Sequence, residues 1–477
     1  MRWVVNDERR YLFAPLEQRG LVAGLRTGQV MLLAGGLVVA VASVRSLAPP
    51  GGVVVAAAAV AAALSAAFIE VRGRPAEQWA PVLVRFGTQR ARRRHRTTAR
   101  PGPAGWPVPQ PLRHLRFDEL HRGPAGGPLA IVTDGVTGES VAVLSARGRS
   151  FALLDAADKE RRLASWAGVL AALAREGGPV TRVQWVERTV GGDGDALSRH
   201  LAEARTLPVE AAPTRSYDHL VSEAGPLTQD HECFVVLSVR RGVTATALQR
   251  ELRLLEGQLR SADVDVRGGL GLRQLGEVLR TAYDPGARTP LARRAAAVPD
   301  QAGAPPGAAW PAATESSWAS YRTDTAWHAT FWVAEWPRAE VGADFLGPLL
   351  VQAGFGRTVA LTMAPASASE GFREAESARA AAAADEELRQ RAGFLATARR
   401  RREAEGLARR ESELSDGHAA YRFSGYVTVS AASPEGLEDA CAETVQLAHQ
   451  CRLDLRRLFG IQDLAFTWTL PLARGLA

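Results

Sequence analysis

The sequence predicts an α+β protein: a two-helix transmembrane hairpin at the N-terminus, then two mixed α/β cytoplasmic domains, the second of which carries a long helical insertion. Three observations predict this arrangement. Two uncharged apolar runs precede Glu70, two Pro-rich stretches divide the remaining chain, and short alternating strands recur with amphipathic helices in each part. A chain of 477 residues exceeds what a single core usually supports, so more than one domain is expected.

The predicted hairpin comprises residues 28–44 and 51–69, neither of which contains a charged side chain. Each run is near the lower limit of length for crossing about 30 Å of hydrocarbon. Pro49 and Pro50 cannot continue a helix and predict a tight turn between the runs. A cleaved signal peptide is not expected, because a second span follows the first directly. The alternative for the second run, a buried Ala-rich core helix, would have amphipathic partners on both sides.

Arginine placement predicts the orientation of the hairpin. Five arginines precede the first run, eight follow the second as far as Arg96, and only Arg45 lies between the runs. Positively charged segments are retained in the cytoplasm. The sequence therefore predicts a multi-pass protein of the inner (plasma) membrane with both termini in the cytoplasm.

The segment directly after the hairpin completes the predicted membrane region, residues 1–96. Apolar side chains recur there at helical spacing beside a basic cluster, which is typical of an interfacial helix on anionic lipid. Membrane lipid is therefore a predicted partner, and direct nucleic-acid binding by the cluster is the less favoured alternative. The candidate membrane-interface residues are Trp79, Phe86, Arg90, Arg92, Arg93 and Arg94.

Two stretches without periodicity set the predicted domain boundaries. Residues 97–113 are Pro-rich and are predicted to be a semi-extended linker, and residues 289–317 are predicted to be an Ala/Pro-rich linker. The first cytoplasmic α+β domain is therefore predicted at 114–288 and the second at 318–477.

The first predicted domain alternates short strands with helices. Turn signals separate its first three strands and predict a meander. A mixed sheet with helices on one face is the simplest arrangement for this order. The predicted strands are 129–133, 140–145, 150–154, 180–190 and 232–239, and the predicted helices are 158–176, 244–261 and two that begin at Asp195 and Thr214.

The second predicted domain contains the most unusual segment of the chain. Residues 369–415 are nearly all Ala, Glu, Arg and Leu, which predicts a long helix or a helical hairpin. It is either a projecting arm that packs on a partner or a solvated helix that covers the sheet. The other predicted elements are strands at 326–336, 357–363, 420–430 and 464–470 and helices at 341–352 and 434–452.

No motif in the sequence supports an enzymatic, cofactor or metal site. Residues 354–358 lack the lysine and spacing of a phosphate-binding loop, and residues 268–271 lack the GxGxxG pattern and are predicted to open a helix. Neither a GxSxG elbow nor an HExxH pair occurs. Three cysteines without CxxC spacing suit a reducing compartment. We therefore predict that the chain is not an enzyme and needs no cofactor.

Three stretches carry a resemblance to known families. YLFAPLEQRG at 11–20, with the hairpin and GRPAEQWAP at 73–81, resembles an actinobacterial family of integral membrane proteins linked to conjugation-type, type IV-like transfer systems. QDLAFTWTLPLARG at 462–475 resembles the end of the non-ATPase N-terminal region of VirB-type ATPases, where a strand leads into an LPLGRG-like string; Ala473 stands where that string has glycine. The residues that carry this likeness are Phe466, Leu470, Pro471, Leu472, Arg474 and Gly475.

The resemblance implies a non-catalytic scaffold subunit of an inner-membrane transfer complex. Such a subunit would be oligomeric within the complex and would work with a separate VirB-type ATPase and other secretion-complex subunits. An EccE-like structural component of a type VII secretion system, which also begins with a two-span hairpin, is the alternative. A membrane-tethered hydrolase with an unrecognised site and a membrane-bound DNA-binding module are two further, less favoured classes.

Overall fold

The computed structural model confirms the α+β class, with a pair of contacting N-terminal helices followed by a large antiparallel sheet and its helices. It describes residues 11, 13, 27–46, 48, 50–71, 74–98, 100, 105–121, 127–148, 151, 154–192, 196–206, 208, 210–224, 229–351, 354–391, 398–415 and 417–476.

Fourteen α-helices are defined in these residues: α1 Thr27–Ser46, α2 Gly51–Phe68, α3 Ala76–Ala91, α4 Ala156–Leu173, α5 Ala196–Ala204, α6 Ala212–Ala224, α7 Ala245–Ser261, α8 Leu272–Tyr283, α9 Arg288–Ala297, α10 Gly347–Val351, α11 Ala368–Arg391, α12 Ala398–Ser415, α13 Pro434–Gln450 and α14 Gln462–Phe466.

The strands defined in the same residues are β1 Glu70–Val71, β2 Arg74–Pro75, β3 Arg96–Thr98, β4 Leu115–His121, β5 Pro128–Asp134, β6 Ser140–Arg147, β7 Val180–Gly191, β8 Gln229–Val239, β9 Asp265–Gly269, β10 Ala313–Ser316, β11 Tyr321–Thr323, β12 Ala326–Glu335, β13 Gly356–Pro365, β14 Tyr421–Ala431 and β15 Asp454–Arg457.

Thirteen of these strands form one antiparallel sheet. Their order is β3-β10-β11-β12-β14-β13-β7-β8-β6-β5-β4, and β9 and β15 pair with β6 and β12. β7 and β13 are hydrogen-bonded to each other, so strands from both predicted cytoplasmic domains share the sheet. We call its two parts the first half, β4 to β9, and the second half, β10 to β15. The independence of either half as a domain stays a prediction.

Helices cover both faces of the sheet, so the prediction of helices on one face was wrong. α4, α7, α10 and α13 cover one face, and α8, α14 and the residues after α14 cover the other. The reason lies in the strands: in β7, for example, Val183 packs under α4 and α7 whereas Val186 packs on the opposite face. Strands that are apolar on both sides must be covered on both sides.

The two halves repeat one topology. The strand order is β4-β5-β6-β8-β7 in the first half and β10-β11-β12-β14-β13 in the second. The helices follow the same plan, because α4, α7 and α8 occupy the positions that α10, α13 and α14 occupy in the second half. β9 and β15 are the additional strands in each case. The sheet is therefore an internal structural repeat.

Helices α7 and α13 show how closely the halves agree. Each is 17 residues long and begins after a hydroxyl side chain, of Thr244 or Ser433, which accepts a hydrogen bond from the N–H three residues on. Each is followed by a non-glycine residue in the left-handed region, Asp263 at φ 61° and Arg452 at φ 57°. Because such residues are uncommon, their recurrence at equivalent places supports the repeat.

The halves meet at β7 and β13, which are equivalent strands. Their antiparallel register is centred on Val186 opposite Ala360. Equivalent strands paired in this way are related by an approximate twofold axis normal to the sheet, which passes close to that pair. Under this relation Glu187 in β7 corresponds to Leu361 in β13.

Each half also inserts a pair of helices between its two central strands. α5 and α6 lie between β7 and β8, and α11 and α12 lie between β13 and β14; the helices of each pair contact each other. The predicted helical segment 369–415 is thus a helical hairpin in its described residues, with an ion pair between Arg379 and Glu411 at 2.5 Å. It is the longer counterpart of α5 and α6.

The predicted strand at 464–470 was wrong. These residues form α14 and the beginning of a segment without regular structure, residues 467–476, which we call the strap. The hydroxyls of Thr467 and Thr469 each donate to a carbonyl three residues back. These local bonds compete with the ladder that a strand would need.

Smaller differences concern lengths and loops. The predicted helix 341–352 is reduced to α10, and Val341 instead forms an isolated β-bridge with Tyr11. The predicted strand 150–154 lies partly outside the described residues, and its described members, Phe151 and Leu154, are in bends.

The predicted linker 289–317 contains regular structure. It includes most of α9 and short 3-10 turns that begin at Pro299 and Pro306, where the missing proline N–H costs nothing. Ala304 and Trp310 from this stretch are buried, Trp310 in the core beneath α8.

Candidate functional site at the segments next to the hairpin

Helices α1 and α2 are long and apolar enough to cross a membrane, and only 11% of each candidate span is buried within the protein. A core helix of a soluble domain would be mostly buried instead. Large apolar side chains such as Met31, Leu37, Val38 and Val54 are exposed along both helices.

The two helices pack closely on each other. A Cβ atom on Gly36 would come within 2.4 Å of the Cβ of Ala63, so glycine is what permits this approach. The side-chain amide of Gln29 donates to the carbonyl of Ala67 at 2.9 Å, and the hydroxyl of Ser43 donates to its own helix at 2.7 Å. Polar groups satisfied within the pair are what a lipid environment requires.

Helix α3 follows the hairpin, contacts both α1 and α2, and packs on the second half of the sheet. Its Trp79 ring stacks on Trp318 at 5.7 Å between centroids, and its Phe86 ring meets the same indole edge-on at 5.0 Å. Val82, between them on the same side, is buried next to Gly460, where any side chain would clash with it. An apolar face of α3 is therefore taken up by protein.

A carboxylate strengthens this docking. The guanidinium of Arg85 lies 3.1 Å from one oxygen of Asp463, and the amide of Gln89 donates to that oxygen at 3.0 Å. Asp463 belongs to α14 and is buried, and its other oxygen has no hydrogen-bond partner among the described residues. The ion pair thus ties α3 directly to the second half.

The structure separates the six predicted membrane-interface residues into two groups, while their contact with lipid stays a prediction. Trp79 and Phe86 pack on Trp318. The other four, which are exposed at the end of α3, are Arg90, Arg92, Arg93 and Arg94. The guanidinium of Arg90 also lies over the Phe86 ring at 5.2 Å, and Arg93 adopts a left-handed φ of 54°.

Two further segments from the N-terminal part of the chain join the second half. β3 extends the sheet beyond β10, with Arg96 paired to Glu315 at 2.6 Å. Near the N-terminus, Phe13 stacks on Trp336 at 5.3 Å between centroids. In the described residues, α3, β3 and Phe13 all attach to the second half rather than to the first.

The strap carries most of the family-like motif and lies over the centre of the sheet. Gln184 of β7 donates to the carbonyl of Trp468 at 2.9 Å and accepts from the N–H of Ala473 at 2.8 Å. Thr362 of β13 donates to the carbonyl of Arg474 at 2.8 Å. Of the motif residues, Phe466 ends α14 and is buried, as are Leu470, Pro471 and Leu472, whereas Arg474 and Gly475 are partly exposed.

Phe466 links the strap to both halves. Its ring lies 4.9 Å from the Tyr283 ring of α8 and 4.7 Å from the His328 ring of β12. Burial lowers the pKa of His328 to about 4, so this imidazole is neutral at physiological pH. Phe466, the first residue of the motif, therefore has a structural role in closing the core between the halves.

A buried charged cluster at the base of β7 and β8 was missed by the sequence analysis. Arg188 is 2% exposed and donates to Glu232 at 3.1 Å and to the carbonyl of Val278 in α8 at 3.2 Å. Arg288 of α9 donates to the other oxygen of Glu232 at 2.6 Å. Burial raises the pKa of Glu232, but the two arginines outweigh burial and hold it below its usual range. The network fixes α8 and α9 to the sheet.

On the opposite face, Glu187 lies beside Cys233 and 3.5 Å from His231. Burial raises the pKa of Glu187 to about 7, and the charge of Glu232 adds to this effect while a hydrogen bond with Cys233 opposes it. Burial also raises the pKa of the Cys233 thiol well above its ordinary value. A thiol shifted in this direction is a poor nucleophile. The signal in the sequence was the presence of charged residues within otherwise apolar strands.

Within the described ranges, no group of three or more His, Cys, Asp or Glu side chains could hold a metal ion. No family model matches the chain, and no curated protein matches it.

Proposed function

We propose that this protein is a non-catalytic scaffold subunit of a conjugation-type, type IV-like transfer complex in the inner membrane. In this proposal α1 and α2 anchor the chain, both termini are cytoplasmic, and a separate VirB-type ATPase supplies the energy. The resemblance of 11–20, 73–81 and 462–475 to such systems suggests the complex.

The observation that carries the proposal is the docking of α3. A flexible tether would serve to keep an enzyme near a membrane, whereas a scaffold must hold its parts at fixed positions. α3 joins the apolar hairpin to the sheet through stacked aromatic rings and the Arg85–Asp463 ion pair. This rigid connection supports a role in positioning other subunits.

The partner prediction can be tested by purification in mild detergent from a host that carries the neighbouring genes. We expect a separate ATPase to copurify with the full-length chain. Recovery as a lone monomer under conditions that preserve the ATPase assembly would contradict the proposal. Recovery with a type VII ATPase and small WXG-type substrates would instead identify the EccE-like alternative.

Orientation has its own test. A tag after residue 476 and a cysteine in the turn at residue 48 should be reached from opposite sides of intact cells. We expect the tag to be protected from external protease and the cysteine to react with an impermeant maleimide. The reverse pattern would contradict the predicted cytoplasmic termini.

A further inference from the structure

Helix α3 has two apolar faces, and only one of them is docked on the sheet. Trp79, Val82 and Phe86 form the docked face. A second side is exposed, with Leu83 at 54% and Val84 at 66%. It carries no charge from Ala80 to Ala91, although Glu77 precedes Ala80 on the same stripe of the helix. The open face consists of Ala80, Leu83, Val84, Gly87 and Ala91, at the spacing that places residues on one side of a helix.

The position of this open face favours lipid as its occupant. α3 begins shortly after α2 ends and contacts both α1 and α2, so the helix that carries the open face lies directly beside the apolar hairpin. A stable protein interface buries about 800 Å² on each partner. Five small or medium-sized residues on one stripe of a helix fall short of that area, whereas a shallow insertion into lipid needs no more.

The charges next to the open face indicate which lipid headgroups it would meet. Residues 76–96, from the start of α3, contain six arginines and a single acidic residue, Glu77. Arg85 and Arg96 are paired with Asp463 and Glu315. The remaining four, Arg90, Arg92, Arg93 and Arg94, are exposed where α3 ends. Exposed arginines beside an apolar stripe suit the phosphates of anionic lipids.

We propose that the open face of α3 lies in the interfacial layer of an anionic membrane, with Leu83 and Val84 inserted and the four exposed arginines at the headgroups. The inference rests on the proposed membrane anchoring and adds a second contact with the membrane. α3 then has lipid on one side and Trp318 on the other, which fixes the angle of the sheet relative to the membrane plane.

The test uses the full-length chain in vesicles of phosphatidylcholine and phosphatidylglycerol that contain brominated acyl chains. An environment-sensitive fluorophore is attached to Leu83→Cys or Val84→Cys; the three native cysteines are buried. Val54→Cys in α2 reports anchoring, and Val136→Cys, an exposed apolar position in the turn between β5 and β6, sets the baseline. We expect about twofold quenching at 54, 83 and 84 relative to 136.

The outcomes separate this inference from the proposed function. Quenching at 54 combined with baseline fluorescence at 83 and 84 would overturn the lipid contact of α3 and leave the anchor intact. Baseline fluorescence at 54 as well would overturn membrane anchoring itself.

A second experiment tests the contact with lipid headgroups. Replacing all four exposed arginines by glutamine, or omitting phosphatidylglycerol, should lower the quenching at 83 towards the baseline without changing it at 54. Unchanged quenching at 83 would overturn the role of anionic lipid.

Discussion

The two halves of the sheet share a topology but are used differently. The second half receives α3, β3 and Phe13, the described segments that lie next to the hairpin. In the described residues the first half has no such attachment, and it carries the charged cluster of Arg188, Glu232 and Arg288 instead. The repeat therefore preserves backbone arrangement while the surface and the buried polar groups diverge.

One pair of equivalent positions shows how the divergence works. In the first half, Glu187 lies opposite Cys233 on β8. In the second half, Leu361 lies opposite Gly425, where an added Cβ would come within 2.9 Å of Trp336 and Val333. A polar pair in one half thus corresponds to aliphatic and aromatic packing in the other. The equivalent strand pairs β7–β8 and β13–β14 accommodate these different side chains, because the hydrogen bonds between strands join backbone groups.

The strongest test asks whether the halves form one folding unit. Phe466 touches α8 of the first half and β12 of the second, so Phe466→Ala should cost about 3–5 kcal/mol of unfolding free energy. Hydrogen exchange in detergent should then accelerate in β8 and β14 together. Tyr217→Ala, at an exposed position on α6, is the control and should change neither strand. Faster exchange in β14 alone would show that the halves unfold separately.

A second test concerns the buried carboxyl that distinguishes the first half. The folded-state pKa of Glu187 is about 7, above its ordinary value of 4.5. Below pH 4.5 the Glu187 carboxyl is protonated in both the folded and the unfolded chain. As the pH rises from 4.5 towards 7, the carboxyl ionises in the unfolded chain but not in the folded one, so the free energy of unfolding falls. Glu187→Gln removes this loss, so it should stabilise the protein at pH 8 by up to about 3 kcal/mol and have little effect at pH 4.

The measurement is the thermal unfolding midpoint of the full chain in detergent across this pH range. Glu376→Gln, at an exposed position on α11, is the matched control and should give equal shifts at both pH values. A benefit of Glu187→Gln that did not grow between pH 4 and pH 8 would show that Glu187 is not held protonated by its burial.

Much of the element list could be predicted from the sequence because apolar periodicity is local. β7, β12 and α7, for example, lie within a few residues of their predicted bounds. The repeat could not be predicted in this way. Its halves share burial and turn geometry, as at Asp263 and Arg452, but not side-chain chemistry, as at Glu187 and Leu361.

The candidate site was predictable only as far as helical spacing allows. The pattern of Trp79, Val82 and Phe86 predicts a common face of α3, but the same pattern suits lipid and protein equally. Only the position of Trp318, more than two hundred residues along the chain, decides that protein covers this face. The polar partner of α3, Asp463, lies just before the predicted strand 464–470, and no local pattern in the sequence indicates its contact with Arg85.

The smallest expected effect sharpens the comparison at α3. Asp463→Asn keeps the shape of the side chain but removes the charge that faces Arg85, whose side chain is about one-third exposed. Because solvent screens that arginine, the docking of α3 should weaken by only about 1 kcal/mol. Hydrogen exchange should accelerate in α3 and stay unchanged in α8 of the first half. Glu438→Gln breaks a more exposed ion pair, with Arg457, elsewhere in the second half and is the control. Equal exchange in α3 for the two variants would mean that the stacked rings hold α3 without help from Asp463.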